Sequence, residues 1–178
     1  MSGTFEQFEQ EAKQYKSILE NYKKNDVVFK DPNFPETKDS WKRLPEIYKA
    51  PLFQEDLIHP DYIIQGSLGD CYLIVALQRI ASQPYLVKRL FDTETSADVL
   101  GEEVNDSINM DCGAVVVILR AFGTYTHVLI DTLIPYSFGS ADYVHPKQDS
   151  YSPWMCLVEK AYAKLYGSYE AIVGGLMN

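Results

Sequence analysis

Gln65-Gly-Ser-Leu-Gly-Asp-Cys71-Tyr-Leu-Ile-Val-Ala-Leu-Gln-Arg-Ile-Ala81 is the stretch on which the fold turns. Its opening, Gly66-Ser67-Leu68-Gly69, is turn chemistry. The remainder is apolar, with Leu73, Ile74, Leu77 and Ile80 at helical spacing, which predicts a buried helix from about Asp70 to Ser82. Cys71 therefore stands where a glycine-rich turn opens a helix. A nucleophilic cysteine must ionise, and a helix N-terminus favours the thiolate. Backbone N–H groups at such a terminus can also bond a developing oxyanion. The Gln65 side-chain amide, six residues earlier, can add a second donor. A nucleophile and an oxyanion hole are two parts of an acyl-transfer site. The spacing alone also fits a small buried cysteine in a core helix.

Downstream, a second short helix is expected from Tyr85 to Phe91, and the acidic run 92–112 reads as an exposed loop. Ala114-Val-Val-Val-Ile-Leu119 is β-branched and apolar, and Tyr125-Thr-His-Val-Leu-Ile-Asp131 returns after a turn at Phe122-Gly-Thr124. This predicts an antiparallel hairpin stopped by Pro135. Residues 136–152 read as a Ser/Asp/Tyr-rich loop. Pro153 to about Ile172 reads as a final helix, with Pro153 in its first turn and Gly174-Gly175 ending it.

Upstream, Pro32, Pro35, Pro45, Pro51 and Pro60 keep residues 26–60 irregular, and interleaved aromatics pin that segment to the surface. Residues 4–25 form an amphipathic helix with Phe5, Phe8, Ala12, Tyr15, Leu19 and Tyr22 on one face and Thr4 as candidate N-cap. That face suits packing on its own domain, or else docking to a partner. The division is an N-terminal helix, 1–25, and a second unit, 26–178.

Composition limits the function. Of 178 residues, 46% are hydrophobic and 13% aromatic, enough to bury a core. The net charge of −9 disfavours nucleic acid and anionic membranes, whose phosphates need cations. No apolar run reaches membrane-spanning length, and residues 1–25 lack the apolar core of a signal peptide. Cys71, Cys112 and Cys156 match neither a disulfide framework nor a zinc site, so a reduced, cytoplasmic chain is expected.

Gln65-Gly66-Ser67-Leu68-Gly69-Asp70-Cys71-Tyr72-Leu73 resembles the active-site segment of calpains, Q-G-x-L-G-D-C-W-L, with Tyr72 in place of tryptophan. Other motifs follow in the right order. Phe29-Lys-Asp31-Pro32-Asn-Phe34-Pro35 resembles F-x-D-P-x-F-P, and Trp41-Lys42-Arg43-Leu44-Pro45-Glu46-Ile47 resembles W-K-R-P-x-E-I. The hairpin end Asp131-Thr-Leu-Ile-Pro135 resembles D-D-R-L-P. Leu157-Val-Glu-Lys-Ala-Tyr-Ala-Lys164, Gly167-Ser-Tyr169-Glu170-Ala171 and Gly174-Gly175 resemble the family's last helix.

The resemblance implies an α+β, papain-like cysteine peptidase fold, of which this chain is the helical first subdomain with a small antiparallel hairpin. It implies an intracellular, calcium-dependent-type endopeptidase acting on protein substrates. Cys71 matches the nucleophile and Gln65 the oxyanion-hole glutamine. A papain-like histidine and asparagine are expected roughly 130–150 residues beyond the cysteine, further than Asn178, the final residue. They are therefore assigned to a second catalytic subdomain, in cis or in trans. His59, His127 and His145 match no catalytic position, and His145 is the spare candidate base because it lies in a loop. The alternative function is an inactive interaction module that binds a partner peptidase or regulator.

Calcium is also implied. Conventional calpains bind it partly through an aspartate just before the active-site glutamine and a glutamate just before the tryptophan of the last helix. Here Asp61 is one residue further from Gln65 than usual, and Ser152-Pro153 precede Trp154. Asp61 remains a calcium candidate, and no complete metal site is assigned. An EF-hand-like reading of Asp92, Glu94, Ser96 and Glu103 has Ala97 where glycine is required.

Overall fold

The computed structural model describes residues 2–34, 40–91, 112–121 and 123–174. Helix α1 (Ser2–Lys24) leads to a short strand β1 (Trp41–Arg43) and helix α2 (Leu44–Ile47). Strand β2 (Ile63–Ile64), helix α3 (Cys71–Ala81) and α4 (Pro84–Lys88) follow. Then come β3 (Ala114–Ala121), β4 (Thr124–Asp131), β5 (Leu133–Ser137), β6 (Ser140–Ala141), β7 (His145–Pro146) and α5 (Trp154–Tyr166). The class is α+β, with helices beside small antiparallel sheets.

The hairpin pairs Ala114 with Asp131 through to Ala121 with Thr124. Both of its faces are covered, which explains the continuous valine run in place of alternation. Val115, Val117, Leu119, Val128 and Ile130 join the main core with α3 and α5. Ala114, Val116 and Leu129 join Leu19, Phe29 and Cys112 in a second core, with Tyr15, Ile18 and Tyr22 of α1 packed on it. The apolar stripe of α1 is thus spent on its own chain. His127 belongs to this layer: its ring lies 4.0 Å from that of Phe8, and its Nδ1 lies 3.6 Å from Glu11.

Helix α5 is buried on every side from Trp154 to Ala161. Two lysines accompany it inward, and each is met by an opposite charge and a carbonyl acceptor. Lys160 Nζ donates to Asp131 Oδ1 and to the Leu133 carbonyl, both at 2.5 Å. Burial pushes the Lys160 pKa down, and Asp131 opposes that shift. One turn on, Lys164 Nζ donates to Asp31 Oδ2 at 2.6 Å, and the Asp31 N–H donates to Asp131 Oδ2 at 2.7 Å. These bonds staple α5, β4 and the segment after Phe29 together.

Several expectations need correction. Helix α1 begins at Ser2, so Thr4 lies inside it and is not its N-cap. Helix α4 stops at Lys88, and Phe91 bridges to Val117 instead of extending it. Pro135 does not end the sheet: β5 runs through it, opposite Trp41. The missing N–H costs nothing there, because Tyr136 supplies the donor to Ser40 while the Pro135 carbonyl accepts from Asp142. The loop 136–152 contains β6 and β7, so His145 sits on a strand paired with Ile64. The last helix ends at Gly167, whose φ of 104° suits glycine, and among the described residues only a 3-10 turn follows, at Glu170–Ile172. The turn residue Phe122, Pro35, Gly175, most of the acidic run and the EF-hand-like set (Asp92, Glu94, Ser96, Ala97, Glu103) lie outside the described residues.

Candidate active site

Cys71 is the first residue of α3 and is exposed, whereas Cys112 and Cys156 are buried. The helix exists because Leu73, Ile74, Leu77 and Ala81 bury one face in the main core. The opposite stripe carries Cys71 and, one turn on, Val75 at 64% exposure. The small-core reading of Cys71 therefore fails on exposure.

The turn before Cys71 is held at three points. Ser67 donates its N–H and its hydroxyl to the Asp142 carbonyl, at 2.9 and 3.1 Å. Gly69 accepts at its carbonyl from the Gly174 N–H at 2.8 Å. The Tyr72 hydroxyl donates to the Ile172 carbonyl at 3.0 Å. Gly66 is required by close approach: a Cβ there would stand 2.1 Å from the Tyr143 carbonyl oxygen. Tyr72 thus keeps the large ring of the family tryptophan and uses its polar tip as a tether.

Gln65 is exposed at the start of the same turn, and its Nε2 donates to the Leu68 carbonyl at 2.7 Å. An amide nitrogen carries two N–H groups. One therefore fixes the side chain on the turn, and the second remains in its donor inventory. At the helix start, the Leu73 and Ile74 N–H groups are spent on the Asp70 carbonyl, at 2.8 and 3.3 Å. The Cys71 and Tyr72 N–H groups precede the first intrahelical bond and lie at the open end.

Sequence reasoning missed the residues behind Cys71. Asp70 is fully buried, and the Glu159 carboxyl of α5 meets it from the other side. Burial and the Asp70 charge push the Glu159 pKa well above the carboxylate range. The two are 89 positions apart, so no local pattern signals the contact.

The three histidines are engaged elsewhere. His59 is exposed and its Nδ1 accepts from the Asp61 N–H at 3.2 Å. His127 is under α1, on the far face of the hairpin from the main core. His145 Nδ1 lies 2.8 Å from the Tyr143 carbonyl.

The residues at the implied calcium positions do not fit that ion. Calcium takes 6–8 oxygen ligands, several of them carboxylate. The Asp61 side chain is 82% exposed and its near neighbour is His59, not a second acid. Ser152 is buried, with a hydroxyl that has no partner. Among the described residues no group of three or more His, Cys, Asp or Glu is placed to hold a metal. Between these two segments Tyr62 stacks on Tyr151, with ring centroids 3.7 Å apart and 5° between planes.

The sequence profile of the calpain family of cysteine proteases matches residues 13–178. Calpain-A of Drosophila melanogaster is 30% identical over 177 residues, covering 93% of this chain and 20% of that protein. The calpain-1 catalytic subunit of Bos taurus is 35% identical over 135 residues, covering 76% and 17%. Calpain-12 of Mus musculus is 31% identical over 182 residues, covering 92% and 24%. The chain belongs to the calpain family of cysteine proteases, and it spans about a fifth of the length of these relatives.

Proposed function

We propose that this chain is the nucleophile-bearing half of a calpain-like cysteine endopeptidase that performs limited proteolysis of proteins inside the cell. Cys71 attacks the scissile carbonyl as a thiolate, forming the C–S bond. The oxyanion is held by the Cys71 backbone N–H and by the free N–H of the Gln65 amide. A histidine from a second catalytic subdomain, in cis or in trans, takes the thiol proton and passes it to the leaving amine as the C–N bond breaks. Water then hydrolyses the thioester and frees Cys71.

The observation that carries this reading is the position of Cys71: an exposed thiol at the open end of a buried helix, behind a turn tethered at three points. A structural cysteine needs no such access. Val75 beside it offers an apolar wall to a substrate or to the complementary half. The reading involves no step through calcium, because Asp61 and Ser152 do not supply its ligands.

The test joins the chain to the sequence that follows it, or mixes it with a histidine-bearing second half, and offers an unfolded protein substrate. Cleavage that is lost in Cys71→Ala is the expected result. Absence of cysteine-dependent cleavage by every combination sinks the peptidase reading and favours an interaction module.

A further inference from the structure

Asp70 is the N-cap residue of α3, a position where aspartate ordinarily turns its carboxylate onto the first helical N–H groups. Here it makes no such bond, and its φ of −115° and ψ of 34° lie outside the usual extended N-cap geometry. The side chain points into the protein instead: it is fully buried, and the backbone group that bonds it is its own N–H, not one of the helix. What faces it is the carboxyl of Glu159, 2% exposed, whose Oε1 accepts the Val144 N–H at 3.0 Å. Two facing carboxyls bond only with a proton between them. Burial raises both, but the Asp70 charge raises Glu159 further, whereas the bond to Glu159 opposes the rise at Asp70. The pair therefore holds one proton in the bond between Glu159 and Asp70. The other titratable groups facing the pair are Tyr72 on α3, Cys156 on α5 and Tyr169 beyond it, each pushed up by burial. None supplies a cation that would release the proton.

We propose that Glu159 is a positioning residue, which holds the Asp70 carboxylate off the N-terminus of α3 and so leaves that terminus open to the Cys71 thiolate and to a substrate oxyanion. A carboxylate swung onto the helix start would occupy the Tyr72 N–H beside the thiol. It would also set a negative charge against the developing thiolate. The bond from Glu159 removes that option while keeping Asp70 as the residue that starts the helix. The inference rests on Cys71 being the nucleophile, but its test reads the thiol itself and not peptide cleavage, so the two readings fail separately.

The experiment is alkylation of Cys71 by iodoacetamide in the intact chain, followed by peptide mass mapping across the pH range of thiol titration. Cys112 and Cys156 are buried, so the folded protein reports on Cys71. In Glu159→Ala the Asp70 carboxylate is released, and the rate at neutral pH falls about five-fold, the order of one carboxylate at a helix terminus. The deficit narrows as pH rises. In Glu159→Gln an amide N–H replaces the acid proton while Oε1 keeps the Val144 N–H, and the profile overlays wild type. In the double variant Asp70→Ala/Glu159→Ala no carboxylate remains to swing over, and the rate recovers. Should Glu159→Ala fail to fold, Glu159→Leu fills the same space and equally cannot donate. A role in stability alone would leave every folded variant with the wild-type profile, and that result overturns the proposal. So does a Glu159→Gln variant as slow as the alanine.

Discussion

Replacing Gly66 by alanine should cost this fold about 3–5 kcal/mol and displace Cys71 at the same time. The added Cβ would fall 2.1 Å from the Tyr143 carbonyl oxygen and 2.3 Å from that of Asp142. A carbon–oxygen contact settles near about 3.3 Å, so the two backbones must part by roughly 1 Å. Both opposing atoms are main chain, which cannot rotate away as a side-chain tip would. The parting stretches the two bonds from Ser67 to the Asp142 carbonyl, at 2.9 and 3.1 Å. Each is worth about 1 kcal/mol net, and overpacking adds about 1–3 kcal/mol. The same shift travels down the turn into Cys71, where a displacement near 1 Å is of the order that costs about 100-fold in a positioned reaction. Urea unfolding of wild type and Gly66→Ala measures the first effect, and cleavage by the assembled enzyme measures the second. Gly69→Ala is the control, because its Cβ would meet only the Val173 Cγ1 at 3.3 Å, a side chain able to turn. A Gly66→Ala loss below about 1 kcal/mol, or one no larger than that of Gly69→Ala, refutes the reasoning.

Lys160→Met leaves Asp131 buried without its cation and should destabilise by about 3–5 kcal/mol; Lys164→Met, whose side chain is 19% exposed, should cost less in the same unfolding assay. The Glu159 pKa is raised above its unfolded value, so the folded chain holds a proton that the unfolded chain releases. That stability is complete below the ordinary glutamate value of 4.5 and is lost as pH rises through the folded value, with a slope of up to about 1.4 kcal/mol per pH unit. The difference in urea midpoint between wild type and Glu159→Gln, followed upward from mildly acidic pH, should therefore move in favour of the glutamine; a constant difference contradicts the assignment. Adding calcium or a chelator should leave the thermal midpoint of the chain unchanged, while Tyr62→Ala should lower its stability by at least about 1 kcal/mol through loss of the Tyr151 stack. A calcium-induced rise that Asp61→Ala abolishes would contradict this.

The parts of the fold that were legible are those whose determinants lie close in sequence. The helix at Cys71 has its period, its turn glycines and its end within one short run, and the expected span matches Cys71–Ala81. The hairpin announces itself in the same way. What escaped was set by distant contacts. Nothing near Pro135 says that Trp41 will lie opposite and turn the residues after β4 into a strand. Nothing local to Lys160 and Glu159 says that they will be buried; partners on β4 and at Asp70 make it so. Tyr62 and Tyr151 carry no pairing signal, yet they stack where two segments meet. Cys71 was singled out by the sequence; the acid pair behind it required the third dimension.

The most direct measurement is covalent trapping of the assembled enzyme, this chain with its histidine-bearing half, by a peptidyl electrophile that reacts with active-site thiolates. The account predicts a single adduct, mapped to Cys71, whose formation abolishes cleavage and is absent in Cys71→Ala. Cleavage that survives complete labelling of Cys71, or that persists in Cys71→Ala, would contradict it.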